Sequence, residues 1–400
     1  MLRNTLKTSP LLFLFLLALA VDNAAADRLG EPVVRETVDK IIRPLMQAHN
    51  LPGMAVAVAI DGKSTFCNYG VASRETGQPI TNETLFELGS ISKTFTATLA
   101  AYAQLNGDLS LSESVSKYLP SLRGSSFDKI SLLHLGTHTS GGLPLQVPEN
   151  IKNTDQLMEY LKHWHPPYAA GTYRMYSNVG IGLLGMATAE RMHRSFEDAM
   201  ERTLLPALGL TQSYINVPTD QMPRYAQGYT ADDKPIRVSP GVLASEAYGI
   251  KSCSSDMIRF LIANMQPTPL GSVEKDDKLH HAITDTHTGY FRAGEMTQDL
   301  IWEQYPFPVE LKRLLAGNSS TMINEATAVT QLSKPLPPQA NVLINKTGST
   351  NGFAAYVAFI PAKQMGIVIL ANKRYDIDQR VTAAYEILTQ LDLRSSSTNN

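Results

Sequence analysis

Ser90 and Lys93 stand three residues apart in Phe86-Glu87-Leu88-Gly89-Ser90-Ile91-Ser92-Lys93-Thr94-Phe95. On a helix that spacing puts both side chains on one face, so a nucleophile and a candidate base are joined by local geometry alone. Thr94 to Leu105 is rich in Ala, Leu and Thr and carries no charge, which predicts a buried helix with a rigidly held first turn. The free backbone N–H groups and positive dipole end at such a helix start suit a developing oxyanion. Two further clusters could serve the same chemistry. In Tyr176-Ser177-Asn178 a phenol near an ammonium loses its proton more easily, and the adjacent amide can orient a substrate. In Lys346-Thr347-Gly348-Ser349 a cation and a hydroxyl at a strand end form a carboxylate clamp, and Gly348 allows close backbone approach.

Each cluster has decoys. Ser114-Val115-Ser116-Lys117 lies among Asp108, Ser110, Ser112 and Glu113 and is cut short by Pro120, which marks a solvated surface. Ser126-Phe127-Asp128-Lys129 and Ser272-Val273-Glu274-Lys275 each place an acid beside the lysine, and no buried helix follows. Tyr214-Ile215-Asn216 runs into Val217-Pro218 and reads as a packed turn. His134 and His138 have the i, i+4 spacing of a zinc pair, but no Glu stands between them and Thr-Ser-Gly-Gly follows, so no metal site is assigned.

The elements that must position these clusters follow from periodicity. Val34, Val38, Ile41, Ile42, Leu45 and Met46 recur at helical spacing, with Pro44 expected to kink that helix and Pro52-Gly53 to end it. Met54 to Ile60 and Thr65 to Val71 flank Asp61-Gly62 as a hairpin. Helical patterns then fill Asn153 to Trp164, Gly180 to Arg191, Phe196 to Leu205 and Ser254 to Met265. Strands return at Asn341 to Ile344, Phe353 to Ile360 and Gly366 to Leu370, before a final helix from about Asp378 to Leu391. This predicts an α/β fold: a discontinuous sheet domain over 27–85 and 325–394, a mostly helical domain over 86–324 carrying the site loops, and a polar tail over 395–400. The site belongs at the seam between them.

Composition limits the possible partners. Arg3 and Lys7 precede an apolar run from Leu11 to Val21, and Ala24-Ala25-Ala26 stands before Asp27; residues 1–26 read as a cleaved signal peptide, which implies export to the periplasm. A formal charge of −2 over 400 residues favours neither nucleic acid nor an anionic membrane surface. No later apolar run approaches the roughly 18 residues of a span. Cys67 and Cys253, the chain's 2 cysteines, are too few for a disulfide scaffold; buried free thiols are the favoured reading and a single bridge the alternative.

The order Ser-Lys, Tyr-Asn, Lys-Thr-Gly resembles the signature set of penicillin-recognising serine enzymes. The chain is identified as a member of the class C β-lactamases, the cephalosporinase family. The likeness also covers Leu143-Pro144-Leu145-Gln146, Pro206-Ala207-Leu208-Gly209-Leu210, Val238-Ser239-Pro240-Gly241, Ala247-Tyr248-Gly249 and Leu370-Ala371-Asn372-Lys373. The resemblance implies the serine β-lactamase and penicillin-binding-protein fold, a central antiparallel sheet flanked by helices with an inserted helical domain. It implies a monomeric hydrolase acting on a small-molecule β-lactam, without cofactor or metal. Ser90 would be acylated, with Lys93 and Tyr176 as the proton-transfer pair and the choice of base between them open. The backbone N–H groups of Ser90 and Ser349 would form the oxyanion hole. Gln146 and Asn178 would grip the acyl side-chain amide, Lys346 and Thr347 the ring carboxylate, Tyr248 the pocket wall, and Arg380 the carboxylate side. Ile377 stands where many members carry Asn, so it takes no binding role. The rival on the same fold is a D-alanyl-D-alanine peptidase or serine esterase, and a penicilloylated sensor is the rival from another class.

Overall fold

The computed structural model describes residues 29–265 and 274–397. The expected signal peptide and the Ser272 to Lys275 decoy lie outside the described residues, apart from the backbone of Glu274 and Lys275. The chain opens with helix α1, Glu31–Ala48. It continues as a helix through Pro44 for four more residues, and Val34, Val38 and Ile42 form its buried stripe. Strands β1 (Gly53–Ile60) and β2 (Lys63–Gly70) form the predicted hairpin. Asp61 and Gly62 both take positive φ, 48° and 78°, which matches the right-handed twist of the flanking strands.

Along the chain follow helix α2 (Ser92–Asn106), a short strand β3 (Tyr173–Arg174), and helices α3 (Asn178–Arg191) and α4 (Ser254–Met265). Strands β4 (Gly289–Ala293), β5 (Met296–Gln298), β6 (Glu303–Pro306), β7 (Thr327–Leu336), β8 (Val342–Ser349), β9 (Ala354–Ile360) and β10 (Met365–Ala371) come next, and helix α5 (Ile377–Ser397) ends the described chain. These ten strands form one antiparallel sheet in the order β2-β1-β10-β9-β8-β6-β5-β4-β7-β3.

Two expected boundaries move. The sheet reaches back to β4, β5 and β6, well before residue 325, and even collects β3 from the middle of the helical region. Polar runs such as Thr297-Gln298 and Glu303-Gln304 hide those strands from a hydrophobic pattern. At the other end, α5 continues to Ser397 with Ser395 buried, so residues 395–397 are helix and not tail.

The central strands separate two cores by simple alternation. Ala55, Ala57 and Ala59 of β1, with Val357 and Phe359 of β9, face α2 and α4. Met54, Val56, Val58 and Ile60, with Tyr356 and Ala358, face α1 and α5. A third cluster surrounds α3, where Ile181, Leu183 and Leu184 meet Ala97 and Ala101 of α2. Helix α2 therefore lies in the seam between sheet and helical region, which explains why its first ten residues are all buried. Gly107 ends it with φ 83° in the left-handed region, the usual helix stop.

Candidate active site

Ser90 does not open the α-helix as expected. It sits one step earlier, in the 3-10 turn Gly89–Ile91 that feeds α2, and Lys93 lies in the first helical turn. The tighter turn still brings the pair together: Lys93 Nζ donates to Ser90 Oγ at 2.9 Å and to the Ala247 carbonyl at 2.8 Å. That second bond ties the amine to the segment 244–248 that also carries Tyr248. The same segment is pinned to α2 by Thr96 Oγ1 donating to the Glu246 carbonyl at 2.6 Å. Ile250 N in turn donates to Ser92 Oγ at 3.1 Å.

Strand β8 meets the Ser90 turn edge-on, and two glycines permit the approach. A Cβ on Gly89 would lie 2.5 Å from the Ser349 backbone, and one on Gly348 would lie 2.0 Å from the Leu88 carbonyl oxygen. No side chain fits in either place. Gly89 also has φ 53°, where L-residues are disfavoured. The main chains of Ser90 and Ser349 are thereby brought side by side, the arrangement an oxyanion requires.

Tyr176 enters from the loop before α3, which Ser177 caps by accepting from Gly180 N. Its ring lies among three cations: Lys346 Nζ at 5.0 Å, Lys93 Nζ at 5.1 Å and Arg174 Cζ at 5.5 Å from the centroid. The hydroxyl is enclosed and faces Ser90 without closing a hydrogen bond of full geometry. Burial pushes the phenol up, but the Lys346 and Lys93 ammonium groups outweigh it and bring Tyr176 down to about 8. Burial also lowers Lys93 to about 8, opposed by Tyr176 and assisted by Lys346. A phenol and an amine whose protonation ranges have converged can exchange one proton with the Ser90 hydroxyl.

Behind this trio stands a buried polar frame that no short motif announces. Arg174 donates to Gln298 Oε1 at 2.7 Å and to the Met322 carbonyl at 2.6 Å, and pairs with Glu303 at 3.0 Å. Glu303 lies 3.9 Å from Lys346. His138 packs against Tyr176 with ring centroids 4.3 Å apart and the planes tilted by 38°, and its Nδ1 accepts from Ser177 N at 3.2 Å. Burial, then Arg174 and the two lysines, push the imidazole well below its ordinary value, so it stays neutral. His138 thus supports Tyr176; among the described residues no group of three or more His, Cys, Asp and Glu side chains that could hold a metal ion occurs. The φ of 59° at His138, three residues before Gly141, reflects the sharp turn of this loop.

A groove of about 640 Å³ joins the parts. Ser90, Gln146, Tyr176, Asn178, Tyr248 and the Lys346–Ser349 run all line it. Asn178 Nδ2 donates to Gln146 Oε1 at 2.9 Å, so the two amides are already aligned at one end. Arg380 departs from expectation. It is fully buried, reaches the groove only by donating to Ser349 Oγ at 2.6 Å, and does not line the groove. Burial brings this guanidinium down to about 10. Arg374 and Ile377 line the groove in its place.

The decoys resolve as surface or structural groups. Lys117 pairs with Glu113 at 3.0 Å, and Ser126 Oγ donates to the Trp164 carbonyl. Tyr214 Oη donates to the Thr211 carbonyl. Cys67 and Cys253 are both free and buried.

Comparison with known proteins agrees with this arrangement. The β-lactamase family model matches residues 38–392. The chain is 51% identical over 359 residues to a β-lactamase of Pseudomonas fluorescens, covering 90% of this chain and 99% of that protein. A crystal structure of a class C β-lactamase in complex with cefoxitin superposes with a TM-score of 0.87 at 57% identity, covering 90% of this chain and 100% of that one. A β-lactamase/D-alanine carboxypeptidase from Pseudomonas syringae gives 0.86 at 53% identity, covering 89% and 98%. A serine–lysine pair, a buried tyrosine between cations and a Lys-Thr-Gly strand edge, on a fold shared almost end to end with these proteins, place the chain in the β-lactamase family, in its class C branch.

Proposed function

We propose that the chain hydrolyses β-lactam antibiotics, cephalosporins ahead of penicillins, through an acyl-enzyme on Ser90. The observation that carries this reading is the 2.9 Å contact between Lys93 Nζ and Ser90 Oγ beneath a Tyr176 hydroxyl held between two ammonium groups. The Lys93 and Tyr176 pair takes the Ser90 proton as Oγ attacks the lactam carbonyl. The backbone N–H groups of Ser90 and Ser349 receive the oxyanion, and the proton passes to the leaving ring nitrogen. Water activated at Tyr176 then releases the product and frees Ser90.

Gln146 and Asn178 hold the acyl side-chain amide, Tyr248 forms the wall beside it, and Lys346 and Thr347 hold the ring carboxylate. Arg380 acts through Ser349. The chain works as a monomer in the periplasm after removal of residues 1–26, in keeping with the absence, among the described residues, of a helix long and apolar enough to cross a membrane. Such an activity confers antibiotic resistance.

Steady-state hydrolysis of a chromogenic cephalosporin tests the reading. The mature protein turns it over, and Ser90→Ala loses about a thousandfold or more in kcat. A protein that is acylated once and stays acylated is instead a D-alanyl-D-alanine peptidase or a sensor.

A further inference from the structure

We propose that the acyl end of the groove selects β-lactam side chains that terminate in an α-amino-acid group, an ammonium beside a carboxylate. The inference rests on the β-lactamase reading and adds a side-chain class to it. A side pocket of about 280 Å³ shares Gln146, Asn178 and Tyr248 with the groove and continues past them to Glu149 and Lys152. With the side-chain amide held at Gln146 and Asn178, whatever lies beyond that amide is directed toward these two charges.

Three features give the pocket its chemistry. Its wall is mainly polar, so an apolar aromatic end would strip water from polar groups and return nothing for it. The backbone that carries the charges is fixed: Ile151 N donates to the Pro148 carbonyl at 2.9 Å, and Lys152 N donates to Gln156 Oε1 at 2.7 Å. Asn153, the cap of the helix Thr154–His163, accepts from Gln156 N at 2.9 Å and anchors the turn. By contrast, the side chains of Glu149 and Lys152 are exposed, and neither makes an ion pair among the described residues. They are available to a ligand.

The two signs decide between candidates. A purely anionic end gains Lys152 but meets Glu149, and a purely cationic end meets the reverse. A zwitterion satisfies both, with its carboxylate toward Lys152 and its ammonium toward Glu149.

The test uses two cephalosporins with one nucleus and one leaving group. The first carries an acyl side chain ending in a free α-amino acid, and the second has that end N-acetylated and amidated. For solvent-exposed ion pairs the expected preference in kcat/KM for the free-ended compound is about three- to tenfold at low salt. It shrinks at high salt. Lys152→Glu and Glu149→Lys each abolish the preference, and the charge-swapped double variant restores part of it. Equal kcat/KM for the two compounds in the native protein, or a ratio indifferent to both single substitutions, overturns the proposal while leaving the lactamase reading intact. Failure to hydrolyse either compound would overturn both.

Discussion

Tyr176 shows what residue-scale electrostatics accomplishes here. Its burial alone would push the phenol up, and Lys346 first, then Lys93 and the Ser90 hydroxyl, reverse that. The sign of the consequence is fixed. Lys346 lowers both Tyr176 and Lys93, so Lys346→Met raises both, and the proton acceptor for Ser90 becomes available only at higher pH. The ascending limb of kcat/KM against pH, which in the native protein lies below the ordinary range of a tyrosine or lysine, moves upward in the variant. A limb that stays in place or moves down would show that Lys346 does not set the proton acceptor. At this scale the sequence was informative for some residues only. Ser90, Lys93, Tyr176 and Lys346 stand in motifs whose spacing carries their chemistry. Arg174, Glu303 and His138 do not, because the hydrogen bonds and ion pairs that hold them in place go to residues more than twenty positions away. Arg380 is a different case: the family resemblance suggested the carboxylate side of the groove and its first-turn position a solvated arginine, whereas packing buries it behind Ser349.

At the scale of elements, the site is a junction of three pieces: the turn before α2, the loop before α3 and the edge of β8. The junction between the first and last depends on Gly348, because a Cβ there would lie 2.0 Å from the Leu88 carbonyl oxygen. Gly348→Ala therefore forces strand and turn apart and separates the two backbone donors. We expect acylation to slow by about a hundred- to a thousandfold, the usual effect of losing one oxyanion donor. Stopped-flow acylation measures it, and a rate near that of the native protein would mean that the close approach is dispensable. Most helices and the late strands were legible because a 3.6- or 2-residue apolar rhythm is strong where one face is buried. Strands β4 to β7 were not. Their neighbours in the sheet are set by long-range pairing, and β7 in particular has only exposed and half-buried positions.

Across the whole molecule, the sheet divides the interior into two cores that share no side chains. Cys67 belongs to one and Cys253 to the other. Burial raises both thiols above their ordinary value, so they are unreactive in the native state, and they lie on opposite faces of the sheet. Reductant should leave Tm unchanged, and both thiols should titrate only after unfolding. A fall in Tm under reductant would reveal a disulfide and a different packing. The region 86–324 contributes β3 to the far edge of the sheet and β4 to β6 to its middle, so the sheet draws strands from both sides of a division at residues 85 and 325.

The central claim is that Ser90 forms a covalent bond with the opened lactam and then releases it. Rapid-quench mass spectrometry of the mature protein with a cephalosporin tests this most directly, with peptide mapping of any adduct. The account predicts a transient drug-derived mass on the peptide containing Ser90, gone once substrate is exhausted and absent from Ser90→Ala. An adduct on the peptide containing Ser114, or turnover with no adduct on any serine, would contradict it.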